Sequence, residues 1–408
     1  MVTNFADISK TKNKQAKGIS YFTPVQDPPA GTAAHPQSTG IELPNLFQPL
    51  KIHGFTIRNR VVLSPLYQYS AQKCHFTVLH FVHLGAIAQH GPGSMTIEAT
   101  SVVPEGRITP QDSWLWEDSQ IVPLQRIIES VHSQGQKIGI QLCHAGRKAS
   151  TVAPWLPSGH GATENVGGWP TRVMAPSSIA FADTYATPVE ITKQDIEHFK
   201  VSWAAATKRV VKAGVDFVEI HNGHGYLLTS FMSPVSNKRT DEYGGSFENR
   251  NVPNIMPVFL RISATEWLEE SLPGEDSWKL EDTIAFAKLL AEGGNVDVID
   301  ISSGGNHPSQ KIKVAPASQF PFALAVKKAV GDNLLVSTGG AIDNGKLANQ
   351  LLAGGLDLVR IGRGFQKNPG LVWKFTEELS IEIAMASQIR WGFTGRGISA
   401  YLTHRRRH

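Results

Sequence analysis

From about Leu46 onward, short apolar runs rich in β-branched residues alternate with longer segments of helical periodicity. Eight runs read as strands: Arg60–Leu66, Ser94–Thr100, Lys137–His144, Asp216–Asn222, Val258–Ser263, Asp297–Ser303, Leu334–Gly340 and Leu356–Arg363. Helical patterns fill most of the gaps, at about Asp118–Gln134, Thr192–Ala213, Lys279–Glu292, Ser318–Val330 and Asn344–Leu352. Strands alternating with helices specify a parallel sheet covered by helices, and eight of them without an early G-x-G-x-x-G unit favour a single closed (β/α)8 TIM barrel. Two stretches break the rhythm. Between Asn222 and Val258 only Asn251–Pro257 could form the covering helix, and it contains Pro253 and Pro257, so one barrel helix is expected to be truncated. Thr151–Pro176, with several Gly, Pro and Trp residues, reads as a long excursion beyond the third strand.

The first forty or so residues are rich in Pro, Gly, Thr, Gln and Lys and lack periodicity, which gives an N-terminal arm over 1–45, a barrel over 46–390 and a tail over 391–408. Composition narrows the function classes. With 41 % hydrophobic and 18 % charged residues, the 408-residue chain can bury a sizeable core. A net charge of +4 without a basic stripe argues against a nucleic-acid partner, and the closing Arg405–His408 cluster reads as a solvated tail. Two cysteines, Cys74 and Cys143, exclude a disulfide scaffold, a four-cysteine zinc site and a cysteine-ligated iron–sulfur cluster. No run of about eighteen apolar residues and no signal-peptide pattern appear, so the expectation is a cytoplasmic protein without a membrane partner.

In such barrels the chemistry gathers at the C-terminal ends of the strands. Polar and Gly-rich residues recur there: Ser64-Pro65-Leu66-Tyr67, Glu98-Ala99, Gln141–His144, His221–Tyr226, Ser302–Gly305, Thr338-Gly339-Gly340 and Gly362-Arg363-Gly364. Arg261 interrupts the apolar run Val258–Ile262, and an unpaired guanidinium inside a strand would cost several kcal/mol in desolvation. Two partners answer that cost: a strand carboxylate such as Glu98, Glu219 or Asp300, or a ligand with delocalised negative charge. A carboxylate neutralising Arg261 would remove the argument for the ligand. Glycines ending the last two strands, together with Arg363, suit a phosphate, although each glycine pair alone is ordinary turn chemistry. His221 and His224 would face opposite ways on a continuing strand, but Asn222-Gly223 can break it and let both rings converge. They then serve as paired hydrogen-bond donors to a carbonyl, as metal ligands lacking an evident third partner, or as loop histidines satisfied by backbone.

The run His221-Asn222-Gly223-His224-Gly225-Tyr226-Leu227-Leu228, then Phe231, Ser233-Pro234, Asn237, Arg239–Ser246 and Glu248-Asn249-Arg250, resembles the signature of the Old Yellow Enzyme family, FMN-dependent ene-reductases on a (β/α)8 barrel. The similarity runs from about Leu46 to Trp391. It is greatest to the YqjM-like branch with fungal relatives, judged by Ser64-Pro65 with Tyr69-Ser70, Gly106–Thr109 and Gln141–Lys148. The resemblance implies that Ser64, Pro65, Leu66, the backbone at Tyr67, and Ala99 border the flavin, with Gln141 on its pyrimidine edge and Arg261 beside N1 and the C2 carbonyl. It further implies that Gly340, Gly362 and Arg363 hold the phosphate. His221 and His224 would clamp the substrate's activating oxygen, Tyr226 would donate the proton, and Tyr69 would line the same pocket. Implied partners are NADPH or NADH as hydride donor and a small electron-poor alkene, in a homodimer or larger assembly. Arg390, with Arg396 as competitor, would enter the neighbouring subunit's substrate pocket from the tail.

Two departures from the family pattern stand out. Tyr67 occupies a position where this branch usually has Cys, changing both the volume and the pKa of the group beside the flavin. The short segment after Arg250 replaces a long barrel helix and would uncover apolar strand surface. Alternative functions are a flavin barrel that oxidises or isomerises a natural-product intermediate, and a catalytically inactive barrel retained for interaction.

Overall fold

The structure, a computed structural model, describes residues 13–156, 161–245 and 259–395. Eight parallel strands close into one barrel: Val61–Leu63, Ser94–Ser101, Ile138–Cys143, Phe217–Asn222, Phe259–Ser263, Val298–Ser302, Leu335–Thr338 and Leu358–Ile361. All eight expected strands are present, most of them trimmed at one or both ends. The expected truncated helix at Asn251–Pro257, together with Ser246, Glu248, Asn249, Arg250 and Arg396, lies outside the described residues.

The five expected helices form with local reasons visible at their ends. Thr192 caps Lys193–Ala213 by accepting the Asp195 amide at 3.2 Å, and the Asp195 carboxylate accepts the Thr192 amide at 2.9 Å. Gly214, at φ +97°, stops the same helix in the left-handed conformation. Asn344 caps Gly345–Ala353 in the same manner, its side chain accepting from the Leu347 amide at 2.8 Å. Further helices at Val78–Ala88, Leu227–Met232, Leu371–Leu379 and Ser387–Thr394 were not among those expected. The last of them runs across the 390/391 boundary drawn from composition.

An antiparallel hairpin, Leu50–Ile52 with Phe55–Ile57, lies across the N-terminal end of the barrel. Its Ile52 and Ile57 are fully buried among Val62, Phe217, Phe259, Val298 and Leu358, and Phe217 stacks on Phe259 at 4.2 Å. This apolar plug seals one end by removing hydrocarbon from water, which leaves the C-terminal mouth as the open end. The arm is tied to the chain's other end: Gly31 and Ala34 donate their amides to Ala384 and Glu382 carbonyls at 2.9 Å each. Among the described residues no helix is long and apolar enough to cross a membrane.

Candidate active site

At the barrel mouth the strand ends enclose a cavity of about 530 Å³. Ser64, Pro65, Leu66, Tyr67, Ala99, Gln141, Arg261, Gly340, Gly362 and Arg363, all expected at the flavin, line it. So do His221, His224, Tyr226 and Tyr69. Arg390 does not; it lies on the Ser387–Thr394 helix and contributes nothing to the cavity of its own chain.

Of the two partners left open for Arg261, the strand carboxylate is present, and the ligand argument built on an unpaired cation is corrected: Nε lies 3.3 Å from Asp300 Oδ2, the residue opposite it in strand register and one of the three carboxylates expected. Its Nη1 donates to Ser64 Oγ at 2.9 Å. Asp300 is shared with a second buried guanidinium, Arg360, at 3.7 Å, and Arg360 also ion-pairs Glu219. Gln141 donates to Glu219 at 2.6 Å, and Ser337 to Asp300 at 2.8 Å. Two carboxylates thus face two guanidiniums, and the cluster that floors the cavity is neutral in formal charge, with Arg261 and Arg360 on its cavity side. The ion pairs offset part of the desolvation cost, although Arg261 Nε and Asp300 Oδ2 are not hydrogen-bonded, so a buried arginine in a strand is no longer by itself an argument for a cofactor. Arg360 interrupts Leu356–Ile361 as Arg261 interrupts its own strand, and the same pattern would have singled it out.

The histidine pair is built as the sequence suggested. The fourth strand ends at Asn222, His224 takes φ +59°, and the two rings meet edge to face with centroids 5.1 Å apart. Gly223 donates its amide to His221 Nδ1 at 3.2 Å, which leaves the His221 proton on Nε2 facing His224 Nδ1 at 3.4 Å. His224 Nε2 then carries its own proton toward Ser302 Oγ at 2.7 Å. Burial first, then the neighbouring cations Arg261 and Lys148, holds both imidazoles well below the usual histidine range, so both are neutral at pH 7. Each neutral ring offers one N–H. Among the described residues no third His, Cys, Asp or Glu joins them in a metal-binding group.

Glycine is obligatory beside this pair. Gly225, at φ +73°, lies so close to the Gly305 loop that a Cβ would stand 2.3 Å from Gly305 O. Lys148 bonds both sides of the contact, donating to the His224 and Gly305 carbonyls at 2.9 Å each, and burial lowers its pKa to about 8. Tyr226 packs edge-on against His221 at 4.9 Å, and burial, then Cys143 and Tyr69, pushes its phenol well above 10. It therefore holds its proton across the physiological range.

Aromatic rings line the cavity as well. Tyr67 and Tyr69 stack at 5.3 Å and 27°, and Trp155 meets Tyr69 edge-on at 5.2 Å and 87°. Burial raises Tyr67 well above 10 and Tyr69 to about 12. Trp155, Ser302 and Gln319 also line the cavity and were missed at the level of sequence, although Ser302 stands in a strand-end cluster that had been singled out.

The cavity suits FMN in size and in the chemistry of its ends. Pockets of about 300–1,000 Å³ hold ligands of that class. At one end Gly339 lies where a Cβ would stand 2.8 Å from Arg360 O, and Gly340 takes φ +100°, so bare backbone faces the space beside the exposed Arg363. Gln141 and the polar floor lie within the barrel.

Comparison with known proteins agrees. Residues 45–382 match the NADH:flavin oxidoreductase / NADH oxidase family. An NADH:flavin oxidoreductase of Gibberella zeae is 51% identical over 405 residues, covering 94% of this chain and 96% of that protein. The NADPH dehydrogenase of Bacillus subtilis is 36% identical over 362 residues, covering 85% and 99%. Morphinone reductase shares the fold, with a TM-score of 0.66 over 82% of this chain and 90% of that one at 23% identity. The chain belongs to the NADH:flavin oxidoreductase / NADH oxidase family, in its Old Yellow Enzyme line, and is an FMN-dependent NAD(P)H oxidoreductase.

Proposed function

We propose that this enzyme reduces carbon–carbon double bonds conjugated to a carbonyl or similar group, with Tyr226 as the proton donor. The observation that carries this reading is the convergence of His221, His224 and Tyr226 on the cavity that also holds the residues suited to FMN. Bound FMN supplies two-electron hydride chemistry between a nicotinamide and a second substrate. Gly340, Gly362 and Arg363 would hold its phosphate, Gln141 and Arg261 its pyrimidine edge, and Ser64 to Tyr67 with Ala99 would border its ring.

The remaining work falls to the other wall. When the alkene binds, the N–H groups of His221 and His224 would turn from His224 Nδ1 and Ser302 Oγ to its activating oxygen and favour the negative charge that grows there as the double bond is reduced. Both are neutral donors, so no proton is lost to the oxygen. Tyr226 keeps its Oη proton at rest and delivers it to the α-carbon as that carbon gains electron density. Charge on Lys148, whose Nζ lies 5.4 Å from the Tyr226 ring centre, eases formation of the phenolate that remains.

Arg390 fits this reading as a contribution to a neighbouring copy. It stands on a helix whose Trp391 and Phe393 are exposed, and sedimentation of the purified protein as a dimer or larger species tests the assembly. The enzymatic test is direct. The purified yellow protein is reduced anaerobically with NADPH and then mixed with cyclohex-2-enone. Reoxidation with formation of cyclohexanone is the expected result; reduction by NADPH without reoxidation by any enone would overturn the reading in favour of an oxidase or isomerase.

A further inference from the structure

We infer that the aromatic step Tyr67–Tyr69–Trp155 selects, within the proposed ene-reduction, alkenes that carry an aryl or other flat conjugated substituent. The inference rests on that reading and adds a substrate class to it. Trp155 is the unusual member. It is 67 % exposed, yet it touches Tyr69 edge-on and, with Pro154, lines the mouth of the cavity. Tyr69 in turn presents one face to Tyr67, and it is close enough to Tyr226 to influence the ionisation of that phenol. Tyr67, Tyr69 and Trp155 therefore form one run of touching rings along the lining of the cavity that also holds the histidine pair.

An exposed indole next to a cavity is apolar surface left in water, and a ligand that covers it gains the transfer free energy. A small ring such as cyclohexenone, held by its oxygen at the histidines, has no second ring to set against Trp155. A substituent that extends from the β-carbon as a flat ring would lie against Tyr69 and cover the indole, adding offset or edge-to-face aromatic contact. Trp155 occupies a loop outside the barrel strands, so its side chain shapes selection without supporting the fold.

The experiment compares 4-phenylbut-3-en-2-one with cyclohex-2-enone in the holoenzyme and in Trp155→Ala and Trp155→Phe. The expected result is a preference for the aryl enone that falls about 5- to 10-fold in Trp155→Ala, in proportion to one lost aromatic contact, and less in Trp155→Phe. Binding of the product ketones, read by calorimetry, is expected to follow: the alanine variant binds 4-phenylbutan-2-one more weakly, with little change for cyclohexanone. A ratio that stays constant or rises, in turnover or in binding, overturns the inference while leaving ene-reduction intact. If the parent enzyme reduces neither enone, the ene-reduction reading itself fails and takes the inference with it.

Discussion

Replacing Arg360 by Met removes one of the two guanidiniums from the cavity floor. In the intact cluster Arg360 pairs with Glu219, reaches Asp300 at 3.7 Å and donates to Thr96 Oγ1 at 2.9 Å. After substitution, two carboxylates share Arg261 alone, and Glu219 retains only the Gln141 amide at 2.6 Å. Breaking a buried pair from one side costs about 3–5 kcal/mol. For 408 residues, an unfolding entropy of about 2.1 cal/mol/K per residue sums to about 0.9 kcal/mol/K, so the melting temperature should fall by about 4–6 °C. Burial already holds the Glu219 carboxyl above its ordinary range, with Arg360 pulling it back. Without Arg360 it rises further. A carboxyl whose folded pKa is raised loses stability as pH climbs from the unfolded value, so the deficit should shrink as pH is lowered toward about 5. Adding Glu219→Gln removes the orphaned charge while keeping an acceptor for Gln141, and the double variant should recover much of the loss. Urea unfolding of the four proteins completes the cycle. A single variant within about 1 kcal/mol of the parent, or a double variant as unstable as the single, would refute the neutral-floor argument.

Three other outcomes follow from the same geometry. Tyr226→Phe should lower the rate of enone reduction by about 100-fold or more, the usual contribution of a placed proton donor, and a change under threefold in stopped-flow reoxidation would remove Tyr226 from that role. Gly225→Ala puts a Cβ 2.3 Å from Gly305 O at φ +73°, so it should cost about 2 kcal/mol or more and displace His224; a variant with parental stability and turnover would contradict the close approach. Asp112 is fully buried, and burial raises its pKa to about 7 despite hydrogen bonds from Thr109 and Ile108. The unfolded carboxyl ionises near pH 3.8 and the folded one near 7, so its ionisation works against the fold as pH rises between them. Asp112→Asn abolishes that term, and its stability relative to the parent should improve by roughly 1.4 kcal/mol per pH unit across that window and level off above it. A stability difference that does not change with pH, read in melts from pH 4 to 8, would contradict the raised value.

The barrel was legible because its strands are β-branched runs that punctuate helical segments, a signal carried within each element. The plug was not. Leu50–Ile52 and Phe55–Ile57 are three residues each, too short for a period, and only their burial under the barrel identifies them. Val78–Ala88 escaped because Val78, Leu79 and Val82 are exposed, which erases the polar stripe an amphipathic helix should show. At the site, the residues at strand ends were found because a parallel barrel sends those ends to one place. Arg261 was located correctly and Asp300 stood among its candidate partners, but the choice between three carboxylates and a ligand was a matter of cross-strand register, which no single strand encodes. Trp155 was beyond reach for a related reason: the direction in which a loop returns depends on what it packs against, and here that is Tyr69.

The titratable groups at the substrate end share a common state. Burial depresses His221 and His224 and raises Tyr67, Tyr69 and Tyr226, so all five are uncharged at pH 7 although their chemistry is opposite. The floor below them balances two carboxylates with two guanidiniums, and Lys148 spends its donors on backbone carbonyls. Of the cations that line the cavity, Arg261 and Arg360 are paired with Asp300 and Glu219, while Arg363, at the phosphate end, has an exposed side chain. On the proposed reading this division sorts the two ligands by charge. A phosphate-bearing cofactor finds its counter-ion at one end, while a charged substrate would lose its hydration at the other with no unpaired opposite charge from its own subunit to replace it. The proposed alkene is therefore a neutral molecule, bound by aromatic surface and oriented by two N–H groups. Adding a carboxylate to the aryl ring of 4-phenylbut-3-en-2-one should weaken its use by about 10-fold or more, on the scale of an imperfectly solvated ion. Equal kcat/KM for the neutral and carboxylated enones would mean that the cavity mouth carries a positive charge in solution, which the neutral imidazoles and the carbonyl-bound Lys148 do not provide and which a neighbouring copy's Arg390 would have to supply.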